Sequence, residues 1–450
     1  MVAAWPPLAQ LLGALLLGWP ALLNGYPIVF SDTGAFLAQT ILPAMVWDKP
    51  YIYGPFLHVF HWRVTLWLPL LAVLLGLSHL LWLTQRAVLG DATPRGHVLL
   101  CAGLAALTSA PWFASLLMPD IFAPALVLCL YLLGFARLSR PQTACLVLLA
   151  GFCAASHLSH LPLALALVVL VLLLTRRILP TLRAALPLGV ALALLMGTNW
   201  VGHGRLAVSP YGSVFALARL VADGPAARVI EAACPQAGWH MCRWAGRLPT
   251  NSDDFLWNEF GPVWSPRLDG AQPGGPISLA PEAGQIVALT LRQYPAAVAA
   301  IAAENAFIQL FRARVGDVLG PEHLDVTVGL RLREGGFPEW EQAAFAASVQ
   351  SQGGLRGLAA YFSWPQPWVV VLAAFGAALA WWRAHKAGDS PRLAFVLCVL
   401  VGITGNALAT GALSMPHHRY QARIIWLLPL AAVLCWRPPR PGVAVAGYSG

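Results

Sequence analysis

Apolar runs of near-membrane length dominate this chain, at roughly 7–23, 65–84, 97–117, 121–136, 141–158, 161–175, 182–199, 364–382, 391–410 and 422–436. A bilayer-crossing helix needs about 20 mainly apolar residues, because it must span the hydrocarbon and satisfy its own backbone there. Runs of this length and number predict an all-α polytopic membrane protein with about ten transmembrane helices. Composition agrees with that. Of 450 residues, 58% are hydrophobic and 10% charged, whereas a soluble domain carries about 25% charged residues. So little polar surface excludes a soluble enzyme, a disordered chain and a coiled coil. Met1 to Leu23 has no basic flank and many apolar runs follow it, so it reads as a first membrane helix rather than a cleaved leader.

The net charge of +9 invites a nucleic-acid partner, but the positions of the charges point elsewhere. Arg86 and Arg95; Arg137 and Arg140; Arg176, Arg177 and Arg183; Arg383, Lys386 and Arg392; and Arg437 and Arg440 fall at alternate junctions between runs. With both termini inside, all five clusters share the cytoplasmic side, as the positive-inside rule requires. That side holds twelve basic residues against Asp91 and Asp389, while the other holds sixteen basic and seventeen acidic. The excess charge therefore reports topology, and no nucleic-acid partner is expected. Arg outnumbers Lys by 26 to 2, the bias of a GC-rich bacterial genome. The expected location is a bacterial inner membrane, with membrane lipids as partners.

The periplasmic side then receives a loop from about 24 to 64, a large segment from about 200 to 363, and short turns near 118–120, 157–161 and 411–421. Three regions follow: a membrane module over 1–199, the large segment over 200–363, and C-terminal spans with a short tail over 364–450. Within the large segment, helices are predicted at 211–233 and 284–312. Arg292, Pro295 and Glu304 interrupt the apolar run Ile286 to Phe311, so it reads as a helix lying at the interface. Cys101, Cys129, Cys145, Cys153, Cys398 and Cys435 fall inside apolar runs and read as small packing residues. Cys234 and Cys242, spaced C-x7-C in the large segment, are disulfide candidates for an oxidising compartment. Two free thiols are the alternative, and a zinc site with His240 is disfavoured by the lack of C-x2-C spacing.

Polar groups at membrane depth are costly, so those gathered at one rim are functional candidates. Asp32 is the first acidic residue, in Tyr26-Pro-Ile-Val-Phe-Ser-Asp-Thr-Gly34. A carboxylate in that apolar setting can act as a base or bind a metal; Ser31 or Asp32 can equally cap a helix. Lys49 and Arg63, in the same loop, are candidates for contacting a lipid phosphate. Asp120, in Leu117-Met-Pro-Asp-Ile121, is a second carboxylate candidate, with helix capping as the plain alternative. His157 and His160 stand one helical turn apart and fit a phosphate, a metal or simple packing. Arg205, and His417, His418, Arg419 and Arg423 in Met415-Pro-His-His-Arg-Tyr-Gln-Ala-Arg423, place cations where topology does not require them. Arg is the natural bidentate partner of phosphate, and pairing with carboxylates is the structural alternative.

This layout resembles the GT-C superfamily of integral-membrane glycosyltransferases, mainly over residues 1–205. In that family the loop after the first span carries the catalytic Asp, and the turn between spans three and four carries a second acidic residue. Asp32 and Asp120 match those two places. The resemblance implies a polyprenyl-phosphate-linked sugar donor. It also implies cationic residues that hold its phosphate, for which Arg205, His417, His418, Arg419 and Arg423 are counterparts by location. It raises a divalent metal at Asp32 and Asp120 as well. Neither acidic residue sits in a D-x-D or Asp-Glu pair, and no W-W-D signature occurs. The expected activity is transfer of a sugar to an envelope acceptor at the periplasmic face. A transporter or lipid flippase is the alternative, and would place ionisable groups mid-span and often show inverted repeats. An acyltransferase with a His base is a further option. No G-x-S-x-G, H-E-x-x-H or Walker motif supports hydrolase, metalloprotease or nucleotide chemistry.

Overall fold

The computed structural model describes residues 5–42, 45–266 and 274–436. Arg437 and Arg440 of the fifth basic cluster, and the tail after them, lie outside these. The first helices are α1 (Trp5–Leu17), α2 (Trp19–Asn24), α3 (Ser31–Ile41), α4 (Tyr53–His61), α5 (Trp67–Leu89), α6 (Pro94–Leu107) and α7 (Ala110–Ala114). Next come α8 (Phe122–Phe135), α9 (Arg140–Ala155), α10 (His160–Thr175) and α11 (Ile178–His203). The long segment contains α12 (Gly212–Ala222), α13 (Pro225–Ala233), α14 (Ser252–Trp257), α15 (Pro276–Gln293), α16 (Pro295–Phe311), α17 (Leu330–Glu334), α18 (Glu339–Ala347) and α19 (Leu355–Phe362). The chain closes with α20 (Gln366–Lys386), α21 (Ser390–Leu413), α22 (Arg419–Ile425) and α23 (Leu427–Trp436). Among the described residues there is no strand, and the protein is all-helical.

Four helical runs are long and apolar enough to cross a bilayer: α5, α11, the run Leu355–Lys386 formed by α19 and α20, and α21. The bent pair α15 and α16 would make a fifth. Most of the remaining expected spans emerge as shorter apolar helices of 10–17 residues, among them α1, α6, α9 and α10, while the expected span 422–436 is broken between α22 and α23. Several breaks have visible causes. Proline opens the helix after the break at α2 and α7, because its ring cannot continue the preceding hydrogen-bonded turn. Apolar side chains cover the flanks of the bundle; on α11, Ile178 and Val201 are 76% and 85% exposed. A surface of that kind requires an apolar surrounding.

The long segment is not one unit. Its first part, with α12 to α15, has its own core around Val214, Leu217, Ile230, Phe255 and Ile286, which makes a small lobe. Its last part, from Val318 to Ala359, belongs to the main core. There it clamps the chain after α2. Gln350 pairs with both the N–H and the carbonyl of Val29, and Glu341 accepts from the Tyr26 hydroxyl at 2.6 Å and the Leu66 N–H at 2.7 Å. The predicted helix 211–233 is split at Gly224, whose φ of +99° lies in the region that favours glycine. The run 286–311 is likewise two helices bent by 99°. α15 packs into the lobe, while α16 lies against α21, where Gly411 meets Ala306. Cys234 and Cys242 form a disulfide in the lobe. Of the cysteines read as packing residues, Cys145 is instead exposed on α9, and the other five are buried.

Candidate functional site

Two short interactions bring the first loop to the turn that carries Asp120. Ile28 pairs with the 115–117 strip through Ile28 N–H to Ser115 O and Leu117 N–H to Ile28 O, at 3.1 and 2.8 Å. Thr33 then donates its hydroxyl to the Leu117 carbonyl at 3.0 Å and accepts the Phe30 N–H. Phe30, not Ser31 or Asp32, occupies the N-cap of α3. Asp32 sits in the first turn, where the helix dipole favours a negative charge, and its carboxylate is free to face the loop after α3. The opposite side of α3 is fixed by a π-helical turn at Asp325–Gly329. A Cβ on Gly34 would fall 2.8 Å from the Thr327 carbonyl carbon, so only glycine admits that approach.

Lys49 reaches back over α3, with its Nζ 3.2 Å from Asp32 and 2.6 Å from Asp48. Arg419, at the start of α22, lies 3.8 Å from the other Asp32 oxygen. Its backbone N–H donates to Asp317 at 2.9 Å, and its guanidinium stacks over Phe30 and Tyr420. Burial alone would raise the Asp32 pKa, but Lys49 and Arg419 outweigh it and hold the carboxyl below its ordinary 3.8. Burial pushes Lys49 the other way, and Asp32 and Asp48 overcome it, so the ammonium stays charged. Asp32 keeps 30% of its side chain exposed, against 14% for Lys49 and 12% for Arg419. These three groups are the reachable part of the site.

Asp120 and Arg423 lie beneath them. Asp120 occupies the 3-10 turn Pro119–Ile121 and does not cap α8, whose N-cap is Ile121. Its carboxylate faces Arg423 at 3.4 Å, and both side chains are buried. Arg423 also donates to Ser159 at 3.0 Å and to Asn406 at 2.8 Å. Tyr53 is buried at the start of α4 and feels the Asp120 charge. A pair this enclosed braces α8, α10, α21 and α22 and does not present itself to a ligand.

The histidines divide. His157 stands in the turn after α9 with Nδ1 accepting the Ser159 N–H at 3.2 Å. His160 opens α10, fully buried, and donates Nδ1–H to the Cys153 carbonyl at 2.7 Å. They flank a turn and do not share a helical face, although their rings lie 5.3 Å apart. His160 is therefore a packing histidine. The backbone N–H and carbonyl of His417 pair with the Gln309 side-chain amide and its ring approaches Asp253 at 3.8 Å, while His418 Nδ1 accepts the Arg314 N–H. Burial holds both below the ordinary imidazole value, so neither brings positive charge at neutral pH. Arg63 and Arg205 stand apart from the cluster. Arg63 is exposed beyond α4 and donates to the Thr40 carbonyl; Arg205 stacks on Tyr211.

A divalent metal does not fit between Asp32 and Asp120. Each carboxylate already faces one or two cations, and an added dication would sit against Lys49, Arg419 and Arg423. Among the described residues, no group of three His, Cys, Asp or Glu is arranged to hold a metal.

Some members carried weak sequence signals. Asn406, a buried amide inside the apolar run 391–410, is the strongest of them, since polar groups at such positions carry a cost. Asp48 and Tyr53 lie in a loop whose aromatic residues and charges fit interface anchoring equally well. Asp317 had no distinguishing context. Three cations and four carboxylates thus meet at one end of the bundle. No protein-family model, curated protein or solved structure matches this chain.

Proposed function

We propose that the protein is an integral-membrane glycosyltransferase of the GT-C type that moves a sugar from a polyprenyl-phosphate-linked donor to an envelope acceptor. One observation carries the reading. Asp32 and Lys49 from the first loop and Arg419 from the far end of the chain meet as a partly exposed charged group at one end of an apolar helical bundle. The ten-span topology, with both termini cytoplasmic and this end periplasmic, is part of the proposal. In its support, Arg137, Arg140, Arg176 and Arg392 stand at the far ends of α8, α9, α10 and α21 from the cluster.

The chemistry follows from charge balance. The acceptor hydroxyl oxygen forms a bond to sugar C1 while the C1–O bond to phosphate breaks, and phosphate leaves with the electron pair. Lys49 and Arg419 stabilise that developing charge; a single donor of this kind is worth about 10²–10³ in rate. Asp32 accepts the hydroxyl hydrogen bond and then the proton. In the resting site it is a poor base, because the same two cations depress its pKa. When a donor phosphate takes Lys49 and Arg419, that depression is relieved and Asp32 becomes more basic with the donor in place. Asp120 and Arg423 hold the framework.

The test compares envelope lipids and glycans in a deletion strain complemented with wild type, Asp32→Asn or Lys49→Met. Asp32→Asn is expected to lose about 10²–10⁴ of the rate at unchanged protein level. A wild-type profile restored by Asp32→Asn and Asp120→Asn alike overturns the reading.

A further inference from the structure

Beside the charged cluster, the lobe presents a set of aromatic rings that the transfer chemistry does not use. Trp47, two residues before Lys49, stacks on Phe215 with centroids 5.1 Å apart and planes inclined by 21°. Trp257 meets Trp47 at 5.7 Å, and Trp264 closes edge-on at 6.5 Å. Trp264 is locked by its indole N–H on the Leu256 carbonyl at 2.7 Å. Packing accounts for the inner rings, but Trp257 is 48% exposed. Asp253 and Asp254 precede it by one helical turn on α14, so they share its face. Asp253 also approaches His417, two residues before Arg419, at 3.8 Å.

We infer that this platform binds the pyranose ring of an uncharged acceptor saccharide, an inference that rests on the transfer reading for its role. A sugar has one face of C–H groups and a rim of hydroxyls. A rigid indole face takes the first and carboxylates take the second, as polar groups placed at the edge of an apolar surface do. The charge argues against other occupants. Two carboxylates repel a phosphate or an anionic headgroup, and α14 carries no Lys or Arg to anchor it at a membrane surface. Because the rings are held before binding, little ordering entropy is lost. The platform leads through Trp47 and Asp48 to Lys49, which puts a bound ring within one short loop of Asp32.

The full chain in lipid nanodiscs is examined by saturation-transfer difference NMR with trisaccharides of glucose, mannose, galactose and N-acetylglucosamine. Ring C–H protons of at least one trisaccharide are expected to receive saturation. Binding should be about tenfold weaker in Trp257→Ala and retained in Trp257→Phe. The intact Cys234–Cys242 disulfide in each variant verifies the lobe. Absence of transfer to every trisaccharide, or equal transfer in Trp257→Ala, overturns the inference. So does quenching by brominated lipids of the emission lost in Trp257→Phe, which would make the residue a membrane anchor. Asp32→Asn should leave this binding intact. Binding without any glycosyl transfer in wild type sinks the transferase reading alone, whereas transfer without trisaccharide binding sinks this inference alone.

Discussion

At Asp32 two opposing forces set the charge. Desolvation favours the neutral acid, while Lys49 and Arg419 favour the carboxylate and prevail. A carboxyl whose folded pKa lies below its unfolded value stabilises the fold above the unfolded pKa. It loses that contribution as pH falls through the lowered folded value. Lys49→Met removes the nearer cation and lets burial raise the folded pKa, so the variant should be less stable than wild type at neutral pH and lose less stability as pH falls through the carboxylate range. Thermal melts across the carboxylate range check this, and identical acid limbs would refute it. Deeper in the site the energetics differ. Arg423→Met strips the cation that ion-pairs with the buried Asp120, which should cost about 3–5 kcal/mol. Adding Asp120→Asn should recover part of that loss in the same melts. Asp32 and Asp120 were legible from sequence because acidic residues in apolar surroundings stand out. Their cationic partners Lys49, Arg419 and Arg423 were candidates too, with carboxylate pairing as one reading, but which cation meets which carboxylate was not legible. Arg423 lies 303 residues from Asp120, and only the fold reveals that its charge is spent on a brace and not on a ligand.

Elements place these residues by contact rather than by propensity. α3 carries Asp32 at its start, and its seat against the π-helical turn requires the bare backbone of Gly34. Gly34→Ala should therefore cost about 1–3 kcal/mol through overpacking. It should also move Asp32, so that Asp32-dependent activity falls further than stability does; equal losses would mean that the contact only holds the fold. In the lobe, the Cys234–Cys242 bridge closes a nine-residue ring, for which chain entropy predicts about 2.5 kcal/mol. Replacing both cysteines with Ser should expose the lobe to limited proteolysis and leave the main bundle resistant. The C-x7-C spacing made this pairing legible. The two breaks that split helices 211–233 and 286–311 were less so. A Gly-Pro pair and a proline after tyrosine stop a helix, but an apolar run continuing past them reads as one element until its two halves are seen packing on different partners.

For the whole molecule, apolar content predicted an all-helical membrane protein, and four full-length apolar runs bear out the class. The number of crossings is harder to read, because several apolar runs fold into helices too short to cross alone. Shared charge polarity argues for the larger number: four helices each have an Arg at or beside one end and the charged cluster near the other. Such a gradient is what insertion with the cationic ends retained in the cytoplasm leaves behind. The consequence is testable without knowing a substrate. Ala387 is exposed in the turn between α20 and α21, at the cationic end, and Asn258 is exposed just after α14, at the site end. In a Cys145→Ser background, a membrane-impermeant maleimide should label Asn258→Cys in intact spheroplasts. Ala387→Cys should label only after permeabilisation. The reverse pattern would put Asp32, Lys49 and Arg419 on the cytoplasmic face and remove the periplasmic transfer reading. Labelling of both in intact spheroplasts would break the shared polarity of α20 and α21 themselves, since one crossing of α21 must separate the Ala387 turn from the 414–418 loop that delivers Arg419.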